Sequence, residues 1–188
     1  MSSKLSTILA MLLLLAPFGS AIADKYAETV EVFKNAGQSG AYFDKAYGYA
    51  LFPTIGKAGL VVGGAAGKGR VYVGGKHVGN AEMGQVTIGL QAGGQAYSMI
   101  IFLEDERAFK EFASGTFEFG AQATAVAITA GASAQASTAG SSAGASGGKN
   151  NATTVGGYTK GMAVFTVAKG GLMYEASIGG AGFTYKPL

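Results

Sequence analysis

Four cations, Lys57, Lys68, Arg70 and Lys76, fall within twenty positions of one another and carry the most suggestive chemistry in this sequence. All four stand in or beside glycine-rich corners. Phe52 and Tyr72 lie among them, and Tyr97 follows further along. That mixture suits an anionic phospholipid: cations for the phosphate, rings and small residues for the glycerol or acyl portion. Each basic residue beside an anionic membrane contributes roughly 1 kcal/mol, so four give useful but salt-sensitive attraction.

Other reactive patterns are weaker. GGAAGKG, Gly63 to Gly69, has only three residues between Gly63 and Gly67, and Gly69 stands where a phosphate-binding loop needs a magnesium-binding hydroxyl. A tight turn between strands accounts for it better. His77 is the single histidine and there is no cysteine, so a zinc site lacks ligands. No nucleophile-elbow pattern surrounds any serine, and His77 reads as a loop residue beside Lys76. Glu104, Asp105 and Glu106 lack calcium-loop spacing and suit the start of a helix instead. The expectation is therefore no catalytic residue, no metal and no cofactor.

These residues need elements to position them, and the first to remove is the N-terminal segment. Lys4 supplies a positive start, Ile8 to Ala16 an unbroken apolar run, and Ala21-Ile22-Ala23 a small-residue cleavage signal. Residues 1–23 thus read as a signal peptide whose apolar run is too short to span a membrane. Removing these 23 of 188 residues leaves 165 and lowers the formal charge from +3 to +2. So small an excess predicts no nucleic-acid partner. Without cysteine the exported chain forms no disulfide, and 165 residues suffice for one self-sufficient core.

Tyr26, Val30 and Phe33 share the stripe of a short amphipathic helix ending near Ala36-Gly37. Tyr42, Ala46 and Tyr49 extend helical spacing through Ala41 to Ala50, and Pro53 stops it. Beyond Pro53 the period becomes two, as in Val86, Ile88 and Leu90, and Tyr97 to Leu103 is apolar on both faces like a central strand. A helix follows the acidic run, with Ala108, Phe109 and Phe112 inward and Ser114-Gly115 at its end. Phe117 to Ile128 alternates again. From Thr129 to Gly148 only Ala, Gly, Ser, Thr and Gln occur, so residues 129–151 read as a flexible small-residue insertion. Gly161 to Ala168 and Met173 to Tyr185 read as a hairpin around Lys169-Gly170-Gly171. Glycines repeated inside strand-like runs imply bends and close backbone approaches. The fold expected is α+β: a curved or barrel-like Gly-rich antiparallel sheet with short helices packed against it.

Three stretches carry a family resemblance: AYGYALFPTIGKAGLVVGGAAGKGRVY, GLQAGGQAYSMIIFL and FKEFASGTFEFGAQATAVA. Their order resembles the SYLF domain, the Ysc-type actin- and lipid-binding domain, from about Tyr26 to Tyr185. The most specific pieces are the FPTIGKAGL turn, the GKGRVY strand, the GQAYS-IIF strand and the F-SG-FEFGA helix-to-strand junction. The resemblance implies binding, not catalysis. Eukaryotic members bind phosphoinositides and other anionic lipids, and some bundle actin; bacterial members are exported or lipid-anchored envelope proteins. Here the helix Lys25 to Lys34 lacks the dense lysines associated with actin, so actin is not an expected partner. The expectation is an exported, periplasmic lipid-binding protein at a membrane surface. It would contact anionic phospholipid through Lys57, Lys68, Arg70, Lys76, Phe52, Tyr72 and Tyr97. The alternative is a non-catalytic structural or protein-interaction component of the cell envelope, using exposed strand edges.

Overall fold

A computed structural model of the chain describes residues 18–59, 62–88, 93–120, 123, 125–128, 157–169 and 178–188. Most of the targeting segment and the whole 129–151 insertion expected from sequence lie outside these residues. Helix α1 (Phe18–Asn35) is followed by a single turn, α2 (Gly37–Gly40). Four long strands come next: β1 (Gly48–Gly59), β2 (Val62–Val73), β3 (Lys76–Ile88) and β4 (Gly93–Leu103). Helix α3 (Glu106–Phe112), β5 (Phe117–Glu118), β6 (Val126–Ile128), β7 (Met162–Lys169) and β8 (Ala181–Pro187) complete the described chain. The strands form one curled sheet in the order β5-β8-β3-β2-β1-β4-β7-β6, antiparallel except where β6 joins β7. This is the α+β arrangement expected from the glycine pattern.

Strand alternation divides the core into two layers. On one face Phe52, Ile55, Met99, Ile101 and Phe183 pack with Ala108 and Phe112 of α3. On the other, Leu51, Ile100, Phe102 and Phe165 pack under Phe33 of α1, with Tyr42 and Phe43 from the turn after α2. These are called the α3 face and the α1 face below. The α1 stripe does what its spacing predicts: Phe33 is fully buried, with Tyr26 and Val30 packed beside it. Asp105 caps α3 by accepting a hydrogen bond from the Ala108 amide at 2.8 Å.

Four sequence expectations are corrected. Ala41 to Ala50 is not helical: a turn covers residues 41–45 and β1 begins at Gly48. Tyr42 and Phe43 are half-buried because they cover Phe102 from the turn, not because they share a helix stripe. Pro53 lies inside β1, a strand hydrogen-bonded on both sides, at the register shift between Leu51 and Thr54. A bulge tolerates a residue with no amide proton, and the Ser98 hydroxyl donates to the Pro53 carbonyl at 2.8 Å. Finally, β7 and β8 form no hairpin. β7 pairs with β4, and β8 pairs with β3 toward the opposite edge. Six consecutive buried residues in β7 demand cover on both faces, whereas β8 becomes exposed toward its end.

GGAAGKG is also not a turn. It is the middle of β2, where the Gly69 position has Leu51 O at 2.7 Å and the Phe52 ring at 2.7–2.8 Å from any added Cβ. The true turn lies at Gly74-Gly75, whose φ values of 56° and 76° suit a tight hairpin between β2 and β3.

Candidate functional site

Strand geometry disperses the residues that sequence spacing groups together. Lys57 stands opposite Ala65 and Gln95, on the α3 face. Lys68, Arg70 and Tyr72 alternate with Val71 and so belong to the α1 face. Lys76 lies beside the Gly74-Gly75 turn, opposite Val73. From the level of Lys57 to that of Lys76 is eight residues of β2, roughly 26 Å at strand rise. The four cations therefore do not line one pocket, and only Lys76 stands at a turn. His77 opens β3 instead of occupying a loop. Its Nε2 lies 3.0 Å from Gly79 O and 3.1 Å from Asn80 Oδ1, acceptors that place the proton on that nitrogen.

Phe52 and Tyr97 are corrected as ligand contacts: they are 0% and 3% exposed and fill the α3-face core. Burial pushes the Tyr97 phenol up to about 12. A folded-state value above the unfolded one means that neutral Tyr97 contributes stability fully present below about pH 10, which is lost as pH rises through 12. Two units correspond to about 2–3 kcal/mol. Unfolding titrations in urea should show stability falling between pH 10 and 12, and Tyr97→Phe should remove its share of that slope beside those of Tyr49 and Tyr158, which burial also pushes up to about 12. An unchanged slope would place the phenolate in water.

What the fold does bring together is a second set of cations, on the α1 face around Thr54. Thr54 pairs in register with Lys68, and Lys169 Nζ donates to its Oγ1 at 3.1 Å from β7. Ala96, the register partner of Lys169 on β4, is small enough to let that lysine cross to β1. One pair further along, the Arg70 guanidinium sits 4.3 Å above the Tyr26 ring of α1. This contact fixes α1 over the sheet at its N-terminal half. Burial raises the Tyr26 phenol, with the Arg70 charge opposing the rise. Burial, then repulsion from Lys25, lowers the Lys169 ammonium, and Glu28 opposes both.

Lys25, Lys68, Arg70 and Lys169 thus surround one patch, against the carboxylates Glu28 and Glu82. Lys68 and Glu82 are 3.5 Å apart but largely exposed, so the pair is weak. Tyr72 closes one side, stacked 5.0 Å from Tyr49, with the His77 ring tilted against it at 5.5 Å. Sequence spacing found Lys68 and Arg70 but missed Lys25 and Lys169. The only available signal was strand parity: Lys169 shares a face with Val167 and Phe165, which a reading of β7 as one arm of a hairpin conceals.

A patch of paired and stacked cations can hold a phosphate or other anion; it presents no nucleophile with an adjacent base. Among the described residues no group of three or more His, Asp or Glu side chains could hold a metal ion. No described helix is long and apolar enough to cross a membrane. A family model described as Ysc84, Las17-binding protein actin regulator, matches residues 84–186, from the middle of β3 to β8. The match includes Lys169 and leaves Lys25, Lys68 and Arg70 outside. No curated protein matches the chain.

Proposed function

The chain belongs to the Ysc84 family of lipid- and actin-binding domains, and we propose that it is an exported protein that binds anionic phospholipid head groups through Lys25, Lys68, Arg70 and Lys169. The observation that carries this reading is the patch around Thr54: three elements, α1, β2 and β7, deliver four cations against two carboxylates to one face. The N-terminal apolar segment with its Ala-x-Ala ending supports export to a periplasm. Strand addition to an envelope protein has less support, because the described outer strands, β5 and β6, have two and three residues.

Vesicle sedimentation tests the proposal. The mature protein should pellet with phosphatidylcholine vesicles containing phosphatidylglycerol and stay in solution with phosphatidylcholine alone. Raising salt shortens the screening length from about 10 Å at 0.1 M to 3 Å at 1 M, so pelleting should decline steeply. Pelleting that ignores lipid charge and salt would remove the head-group reading.

A further inference from the structure

One end of the sheet presents apolar surface that no described element covers. Val62 on β2 and Val86 on β3 are 64% and 73% exposed, the largest solvent-facing valines among the described residues. Register places Val62 opposite Ile88 and Gly64 opposite Val86. The two valines are therefore diagonal neighbours on the α1 face, within side-chain reach of each other. The surrounding positions are nearly bare: Gly56, Ala58, Gly64, Ala66 and Gly84 are exposed, and a Cβ at Gly56 or Gly84 would meet nothing within 4 Å.

Cations stand just behind this surface. Lys57 is level with Gln85, one residue inward of Val86. Lys169 is level with Ala66, two residues inward of Gly64, through Ala96 and Gly56. Lys68 lies four residues inward of Gly64 on the same strand. At strand rise these steps are roughly 3, 7 and 13 Å below Val86. Of the nearby carboxylates, Glu82 and Glu118 lie on the β3 to β5 side and Glu28 of α1 acts on Lys169, where Lys25 and Lys57 leave the β1 to β7 side with an excess of positive charge. Apolar groups at the tip with lysines one to four residues behind match the depth profile of a membrane interface. There apolar side chains enter about 5–10 Å and lysine stems reach back to the phosphates.

We propose that this end of the sheet enters the interfacial layer of an anionic bilayer, with Val62 and Val86 as the inserted groups and Lys57, Lys68 and Lys169 as the collar at head-group level. The proposal rests on the head-group reading above and adds orientation and depth to it: the sheet meets the bilayer with this end, and the Gly74-Gly75 turn points away. It also gives Lys57 a role, since a collar around a strand end draws on both faces of the sheet.

The chain has no tryptophan, so Val86→Trp introduces a single reporter at an exposed position. With phosphatidylcholine–phosphatidylglycerol vesicles its emission should shift to the blue and be quenched by brominated acyl chains. Ala41→Trp, beside Tyr42 at the other end of the sheet, should do neither. Separately, Val62→Ser with Val86→Ser should weaken vesicle binding roughly tenfold while leaving thermal unfolding in place. If the Val86→Trp protein pellets with the vesicles and its emission does not move, the sheet end remains in water. This proposal then fails while the head-group reading stands. Unaltered affinity of the serine pair would overturn it as well. Failure of the unmodified protein to pellet would remove both.

Discussion

Exchanging Lys25, Lys68 and Lys169 for serine and Arg70 for glutamine should reduce affinity for anionic vesicles by roughly several-hundredfold. Each basic group near an anionic surface contributes about 1 kcal/mol, and each 1.4 kcal/mol is tenfold in affinity. Three of these side chains are exposed lysines whose loss removes charge and little packing. Arg70 differs, since its guanidinium lies on the Tyr26 ring; glutamine there also gives up a contact worth about 0.5–1 kcal/mol. Thermal unfolding of the variant therefore belongs in the same experiment. The comparison that isolates the patch is Lys76→Ser with Lys45→Ser. Both are exposed and both lie toward the other end of the sheet, Lys76 opposite Val73 and Lys45 in the turn just before Gly48, which also pairs with Val73. If attraction depended on net charge alone, each lost cation would cost the same wherever it stood. The patch instead requires the distal pair to cost little. Equal losses per charge from the two sets would make the association a matter of overall charge, with no site.

Much of the scaffold was legible because its signals are local and physical. Tyr26, Val30 and Phe33 repeat at helix spacing, Asp105 precedes α3 as a cap, and Tyr97 to Leu103 is apolar at every second residue on both faces. Glycine was harder to read because one residue type serves two purposes. Gly74 and Gly75 supply the positive φ of a turn, whereas Gly69 is small so that β2 can pass the Phe52 ring. Composition does not separate the two, and the strand β2 was consequently read as a corner. The cation patch was partly hidden for a related reason. Proximity in sequence grouped Lys57 with Lys68, although a strand's two-residue period and the β1–β2 register put them on opposite faces. Lys169 joins through β4–β7 pairing, which a local turn signal at Lys169-Gly170-Gly171 obscures. Pairing between strands distant in sequence is set by which surfaces need covering, and no short motif records it.

The dependence of the patch on packing leads to the largest effect expected on stability. Phe102 is fully buried on the α1 face, with ring centres of Tyr42, Phe43, Tyr49 and Phe165 at 5.3, 5.0, 6.1 and 5.9 Å. Phe102→Ala should lower stability by about 3–5 kcal/mol through lost burial and a cavity the surrounding rings cannot close. In a domain of this size that is a fall in Tm of roughly 6–20 °C. Phe52→Ala, equally buried on the α3 face, should cost a similar amount. Their effects on lipid binding should nevertheless differ. Phe102 supports the aromatic layer beneath α1, and α1 carries Lys25 and the Tyr26 ring that holds Arg70. Phe52 touches Phe183 in the layer served by α3, which contributes nothing to the patch. At a temperature where both variants remain folded, Phe102→Ala should bind anionic vesicles more weakly than Phe52→Ala. Equal binding by the two would mean that α1 need not be docked on the sheet for its cations to act.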